Sequence, residues 1–224
     1  LKLKRAEVKD IITDELQLSH RCDEIDPKTQ HEELANIIKD LKATMREKKL
    51  NFLSAPAIGY NKRIFCIDDP KDVEIKTFIN PMPADYSENN KPHIQMAIET
   101  CSSFPGRRFL RFRQDKIDLY YMRPNGAPMH KEFHGLTAVK IQHELEHLEG
   151  IVLSDFGLEL DENWEKLTDK EKDEIILEYK DSLDILTEKL NDDIIKDPEA
   201  KQLDDGIKFM TAVAKGEVEL EGIK

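Results

Sequence analysis

Two histidines four residues apart, with a glutamate directly after the first, constrain this chain more than any other feature. They form His143-Glu144-Leu145-Glu146-His147, inside a stretch from about Leu136 to Glu149 that reads as a helix and closes at Gly150. On a helix, residues i and i+4 share a face one turn apart. Both imidazoles can therefore reach one metal ion, and Glu144 can act on a water held there. Two histidines alone leave the coordination incomplete. One source of a third ligand lies downstream. The extended zinc-protease pattern H-E-x-x-H-x-x-G-x-x-H is met through Gly150 but ends on Leu153, which leaves Glu159, Glu162 or Glu165 as ligands. The other source lies upstream at Cys101, in a polar loop, where an isolated cysteine more often packs than ligates. The helix by itself leaves both sources open.

The rest of the first 154 residues reads as short strands around that helix, an α+β pattern. Leu34, Ile37, Ile38, Leu41 and Met45 recur at helical spacing and predict a helix over residues 31–49. Arg63–Ile67 predicts a buried strand, Thr77–Pro81 a second strand stopped by its proline, and Ile94–Ser103 a strand and loop. Lys116–Met122 alternates and runs into Arg123-Pro124-Asn125-Gly126, a hairpin turn. Arg107, Arg108, Arg111 and Arg113, interleaved with Phe109 and Phe112, read as a strand with an exposed basic face. His20, His31, His93, His130 and His134 have no partner at ligand spacing and receive no role.

No apolar run approaches 18 residues, so a membrane span is not expected. Three cysteines, Cys22, Cys66 and Cys101, are too few for a disulfide scaffold and fit a reducing compartment. The sequence starts at Leu1 and not at Met, which reads as a trimmed or processed chain. Charge divides the chain in two. Residues 1–154 carry 24 acidic and 24 basic side chains, so the net charge of −12 comes wholly from the stretch beyond. That acidic stretch would repel phosphates, so direct nucleic-acid binding is not expected. It is a candidate surface for a basic protein partner. Within it Ile176, Tyr179, Leu183, Leu186 and Leu190 alternate spacings of three and four, a helix seam that Asp197-Pro198 breaks, with a weaker helix expected near Asp204–Lys215.

Glu99-Thr100-Cys101-Ser102-Ser103 and Gln142-His143-Glu144-Leu145-Glu146-His147-Leu148-Glu149-Gly150 together resemble the peptide deformylase family. The family's motifs run in the order G-x-G-x-A-A-P-Q, E-G-C-x-S and Q-H-E-x-D-H-x-x-G. The third is matched with Glu146 in place of aspartate. The second is matched as E-T-C-S-S, and the first survives as Leu50-Asn51-Phe52-Leu53-Ser54-Ala55-Pro56-Ala57. The resemblance divides the chain into a deformylase-like domain, residues 1–160, and an acidic, mainly helical C-terminal extension, residues 161–224. The fold it implies has antiparallel strands around a central helix bearing the two histidines.

The resemblance also implies one divalent metal ion, iron(II) or zinc, held by Cys101, His143 and His147. Glu144 would be the general base, and the backbone N–H of Ser102 would help hold the oxyanion. The implied reaction removes the N-formyl group from the initiator methionine of nascent chains. Phe52, Leu53, Ala57 and Lys140 would line the substrate cleft. Here the chain departs from the family. Ala57 replaces a glutamine whose amide stabilises the oxyanion, Leu50 and Phe52 replace glycines, and Lys140 stands at a small or apolar position of the methionine pocket. These departures raise the alternative of a deformylase-like subunit of impaired activity within a larger assembly, such as a mitochondrial ribosome or another mitochondrial complex. The implied compartment is one that starts chains with formyl-methionine, the mitochondrial matrix or the bacterial cytoplasm, the mitochondrion slightly favoured.

Overall fold

The computed structural model describes residues 5–84, 86 and 90–196, with the side chains of its last helix described as far as Leu186. Asp14 starts a single helical turn, α1 (Glu15–Leu18), by accepting the Leu16 N–H at 2.9 Å. The apolar stripe at 34, 37, 41 and 45 forms the buried face of α2 (His31–Lys48), which stops at Lys49 in the left-handed conformation. Two further helices follow the strands of the body, α3 (Gly135–Leu148) and the short α4 (Leu153–Phe156), and the long α5 (Asp169–Lys196) closes the described part of the chain.

Eight strands lie between and beyond these helices: β1 (Phe52–Ser54), β2 (Ile64–Ile67), β3 (Lys76–Pro83), β4 (Ile94–Glu99), β5 (Arg108–Gln114), β6 (Lys116–Met122), β7 (Pro128–His134) and β8 (Leu158–Leu160). They form two antiparallel sheets, one of five strands in the order β1-β2-β3-β6-β7 and one of three in the order β4-β5-β8. Helix α3 touches β1, β2, β6 and β7 of the first sheet and β5 of the second, so the helix carrying the two histidines lies between them. Helix α2 covers β1 and β2 through a core that includes Ile37, Leu41, Leu53 and Ile64.

Two strand expectations need correction. Pro81 does not stop β3, which continues to Pro83. The pairing with β6 shifts register between Ile79 and Met82, and Asn80 adopts φ 45° there, so the missing N–H of Pro81 falls in a bulge where the ladder asks for none. The Asn80 side chain fixes this bulge by bonding both the N–H and the carbonyl of Ile25. The arginines of β5 do not present an exposed basic face either, because Arg111 and Arg113 are each 1% exposed. Leu110 and Phe112 occupy the other face of the strand, where they pack with Leu160, Trp164, Ile176, Tyr179 and Leu183.

That second packing shows where the C-terminal helix goes. Phe112 and Tyr179 stack with their rings 5.5 Å apart, and the Tyr179 hydroxyl donates to the carbonyl of Phe156. The seam of α5 thus covers the three-stranded sheet of its own chain as far as Leu183. The Leu190 side chain, the Asp197-Pro198 break and the weaker helix near 204–215 lie outside the described residues.

Candidate metal centre

Local sequence sets α3 in place at its C-terminal end. Glu149 caps the helix, Gly150 follows at φ 77°, and the N–H groups of Gly150 and Ile151 return to the carbonyls of His147 and Glu146. A Cβ on Gly150 would lie 2.8 Å from the carbonyl carbon of Ser19, so the glycine also admits the N-terminal segment, whose Cys22 N–H bonds the Leu148 carbonyl. The helix end bearing His147 is thereby fixed against the segment that precedes α2.

Cys101 follows β4 in a turn closed by the Phe104 N–H on the Cys101 carbonyl. One ligand atom from each of Cys101, His143 and His147 lies within 4.8 Å of the others, and all three residues are buried. Cys101 Sγ is 3.3 Å from His147 Nε2. His143 Nδ1 donates to Glu99 Oε2 at 2.8 Å, which leaves His143 Nε2 buried and without a protein partner. A thiol and two imidazoles, one of them (His143) with its outward nitrogen fixed by a carboxylate, make a donor set that suits a divalent ion and leaves a coordination position open. Glu159 and Glu165, the downstream alternatives, instead pair with Arg107 and Arg108 at the surface, and Glu162 is exposed. The protease-type ligand set is therefore not the one assembled.

Below the ligands runs a buried ionic chain that sequence reasoning missed. Arg113 Nε and Nη2 hold the Glu99 carboxylate at 2.5 and 3.1 Å, and its other side holds Glu146 at 2.6 and 2.9 Å. Arg111 also pairs with Glu146. Burial alone would raise the pKa of Glu99, but Arg113 and His143 bring it well below the ordinary carboxylate range. Glu146 likewise stays below its usual value, because Arg111 and Arg113 outweigh burial. Burial pushes the Cys101 thiol up, and the two histidines overcome it and bring the thiol down to about 5. Burial pushes His143 down, but Cys101 and Glu99 carry it well above its usual value. Cys101 and His143 each favour the charged form of the other, and a divalent ion held there would compete with the proton. Glu144 is also buried, and burial raises its pKa despite the two histidines beside it.

Of the four residues expected to line the cleft, the structure brings two together. The Phe52 ring meets the His143 ring edge-on, centroids 5.2 Å apart, and Lys140 Nζ lies 5.8 Å from the centre of the same ring. Leu53 and Ala57 are 1% and 2% exposed and belong to the core cluster that also holds Ile37 and Leu41 of α2. Ser102 is half-buried in the turn after Cys101.

The sequence model of the polypeptide deformylase family matches residues 8–161. Peptide deformylase of Natranaerobius thermophilus is 34% identical over 122 residues, covering 54% of this chain and 75% of that protein. Peptide deformylase 1 of Clostridium perfringens is also 34% identical over 122 residues, covering 54% and 80%. Among solved structures, a peptide deformylase from Legionella pneumophila superposes with a TM-score of 0.60 at 26% identity, covering 66% of this chain and 85% of that one. That of Thermotoga maritima superposes with a TM-score of 0.59 at 26% identity, covering 66% and 97%. These relatives are bacterial and lend the mitochondrial placement no support. Among the described residues, no helix is long and apolar enough to cross a membrane. With its ligand-bearing helix held between two antiparallel sheets and more than half its length matched, this chain belongs to the polypeptide deformylase family of metal-dependent hydrolases.

Proposed function

We propose that this deformylase-type hydrolase removes the N-formyl group from formyl-methionyl ends of nascent chains, with one iron(II) or zinc ion held by Cys101, His143 and His147. The observation that carries this reading is the buried convergence of those three side chains beside the buried Glu144. A divalent ion bound there would polarise the formyl carbonyl and acidify a water. Glu144 accepts the water's proton and passes it to the leaving amine, a task suited to a carboxyl whose pKa burial has raised. The Ser102 N–H supplies one donor to the oxyanion. A second side-chain donor is missing at Ala57, and losing one such donor costs about 10²–10³ in rate. The enzyme is therefore a slow member of its family. Glu99 fixes the ring of His143, and Arg113 keeps Glu99 ionised for that purpose. Phe52 and Lys140 form the wall beside His143 that the substrate's first residue meets.

The test is formate release from a formyl-methionyl tripeptide by the ion-loaded full chain. Wild type should release formate, and Glu144→Ala should lower the rate by about 10²-fold or more while still holding its ion. A fully loaded wild type that releases none would overturn the reading.

A further inference from the structure

His143 is 2% exposed. Glu99 holds its Nδ1, and Cys101 and His147 lie on its ligand side. A third side is covered by Phe52, whose ring stands at 72° to the imidazole with centroids 5.2 Å apart. Phe52 is itself half-buried, so it lies between a ligand and the solvent. Its backbone is held in place. Phe52 pairs with Ile67 across β1 and β2, and beside it the Asp68 N–H bonds the Asn51 carbonyl at 2.7 Å. Rotation of the side chain is therefore what can uncover His143 on this side. Lys140 restrains that rotation. It precedes His143 by three residues on α3, so the two side chains leave the same face of the helix. Its Nζ lies 5.8 Å from the centre of the Phe52 ring, within range of a cation–π contact. Among the described residues no carboxylate pairs with that ammonium.

We infer that Phe52 and Lys140 form a side-chain gate over the ion site. The ring, held between His143 and the Lys140 ammonium, must swing aside before a substrate's formyl group or a chelator reaches the ion. This rests on the hydrolase reading of the site and deepens it. Each of the two ring contacts favours the closed position by a factor of about 2 to 10. That is enough to keep the gate mostly shut and little enough for a substrate to open it. The substrate's first side chain takes the ring's place against His143, so the cost of opening enters KM and not the chemical step. Phe52 also packs against the core cluster that holds Ile67 and Leu145. A residue serving only as the rim of that cluster would show no coupling to Lys140.

The experiment measures loss of zinc to excess EDTA, and KM for a formyl-methionyl tripeptide, on zinc-loaded full chains. It compares wild type, Lys140→Met, Phe52→Ala and the double variant, with Phe52→Leu as the substitution that keeps the core filled without a ring. Phe52→Ala should lose zinc about tenfold faster, with a matching fall in KM. Lys140→Met should lose zinc about threefold faster, although removing a cation would by charge alone slow the loss. In the Phe52→Ala or Phe52→Leu background, Lys140→Met should no longer speed it. Wild-type zinc loss from both Phe52 variants, or slower loss from Lys140→Met, overturns the gate. Faster zinc loss from the variants of a chain that releases no formate leaves the gate standing and refutes the functional reading instead. Formate release with KM and zinc loss unchanged across the variants refutes the gate alone.

Discussion

Arg113 illustrates how one side chain supports a site it never touches. It is fully enclosed and binds two carboxylates, of which Glu99 fixes His143 and Glu146 lies on the helix of ligands. Removing one partner of a buried pair typically costs about 3–5 kcal/mol, because the other charge is left stranded. Arg113→Met should therefore lose about that much stability in urea unfolding. The pH dependence follows the same groups. Glu99 and Glu146 have folded pKa values below their ordinary 4.5, so their stabilisation is complete above that value and fades as pH falls through the depressed ones. Acid unfolding followed by circular dichroism should set in below pH 4.5 for wild type and at higher pH for Arg113→Met. The sequence did not reveal this role. Arg111 and Arg113 alternate with Leu110 and Phe112, a pattern that ordinarily puts the arginines in water. Their acidic partners lie 14 and 33 residues away from Arg113, and only the fold makes them neighbours.

At the scale of elements, helices were the most legible. The stripe of α2 and the span of α3 emerged close to their observed bounds, because a period of 3.6 and a terminal glycine are local signals. The glycine makes a direct prediction. Gly150→Ala forces an L-residue to φ 77° and sets a Cβ 2.8–2.9 Å from the Ser19–His20 backbone. The left-handed conformation alone costs about 1–2 kcal/mol, and the clash adds to it. The midpoint of urea denaturation should fall by at least the equivalent amount, and an unchanged midpoint would mean the N-terminal segment does not press on this turn. Strands were less legible where tertiary structure changed the rules. β3 runs through a proline because a bulge releases it from the ladder. The seam of α5 was legible as a seam, but its destination was not. Spacing shows that a helix must bury a face and cannot name the surface that receives it, here Phe112 and its neighbours.

For the whole molecule, the claim is that two sheets bring a loop thiol to the histidine face of a single helix. Their thiol chemistry distinguishes the cysteines. Burial pushes Cys22 to about 12 and Cys66 to about 11, whereas Cys101 falls to about 5. Because the thiolate is the nucleophile, iodoacetamide should label ion-free protein at Cys101 first at neutral pH, and the labelling rate should rise through a midpoint near pH 5. Loading with zinc should block that labelling. The pairing of the two histidines on one helix face was legible from their spacing, and the approach of the thiol only through the motif around it, since 42 residues separate Cys101 from His143 and no local rule joins them. X-ray absorption by the zinc-loaded chain tests the central claim most directly. The account predicts one sulfur at about 2.3 Å and two imidazole nitrogens at about 2.0–2.1 Å from a single zinc, with the sulfur lost in Cys101→Ser. A shell of oxygen and nitrogen with no sulfur in the unsubstituted protein would contradict it.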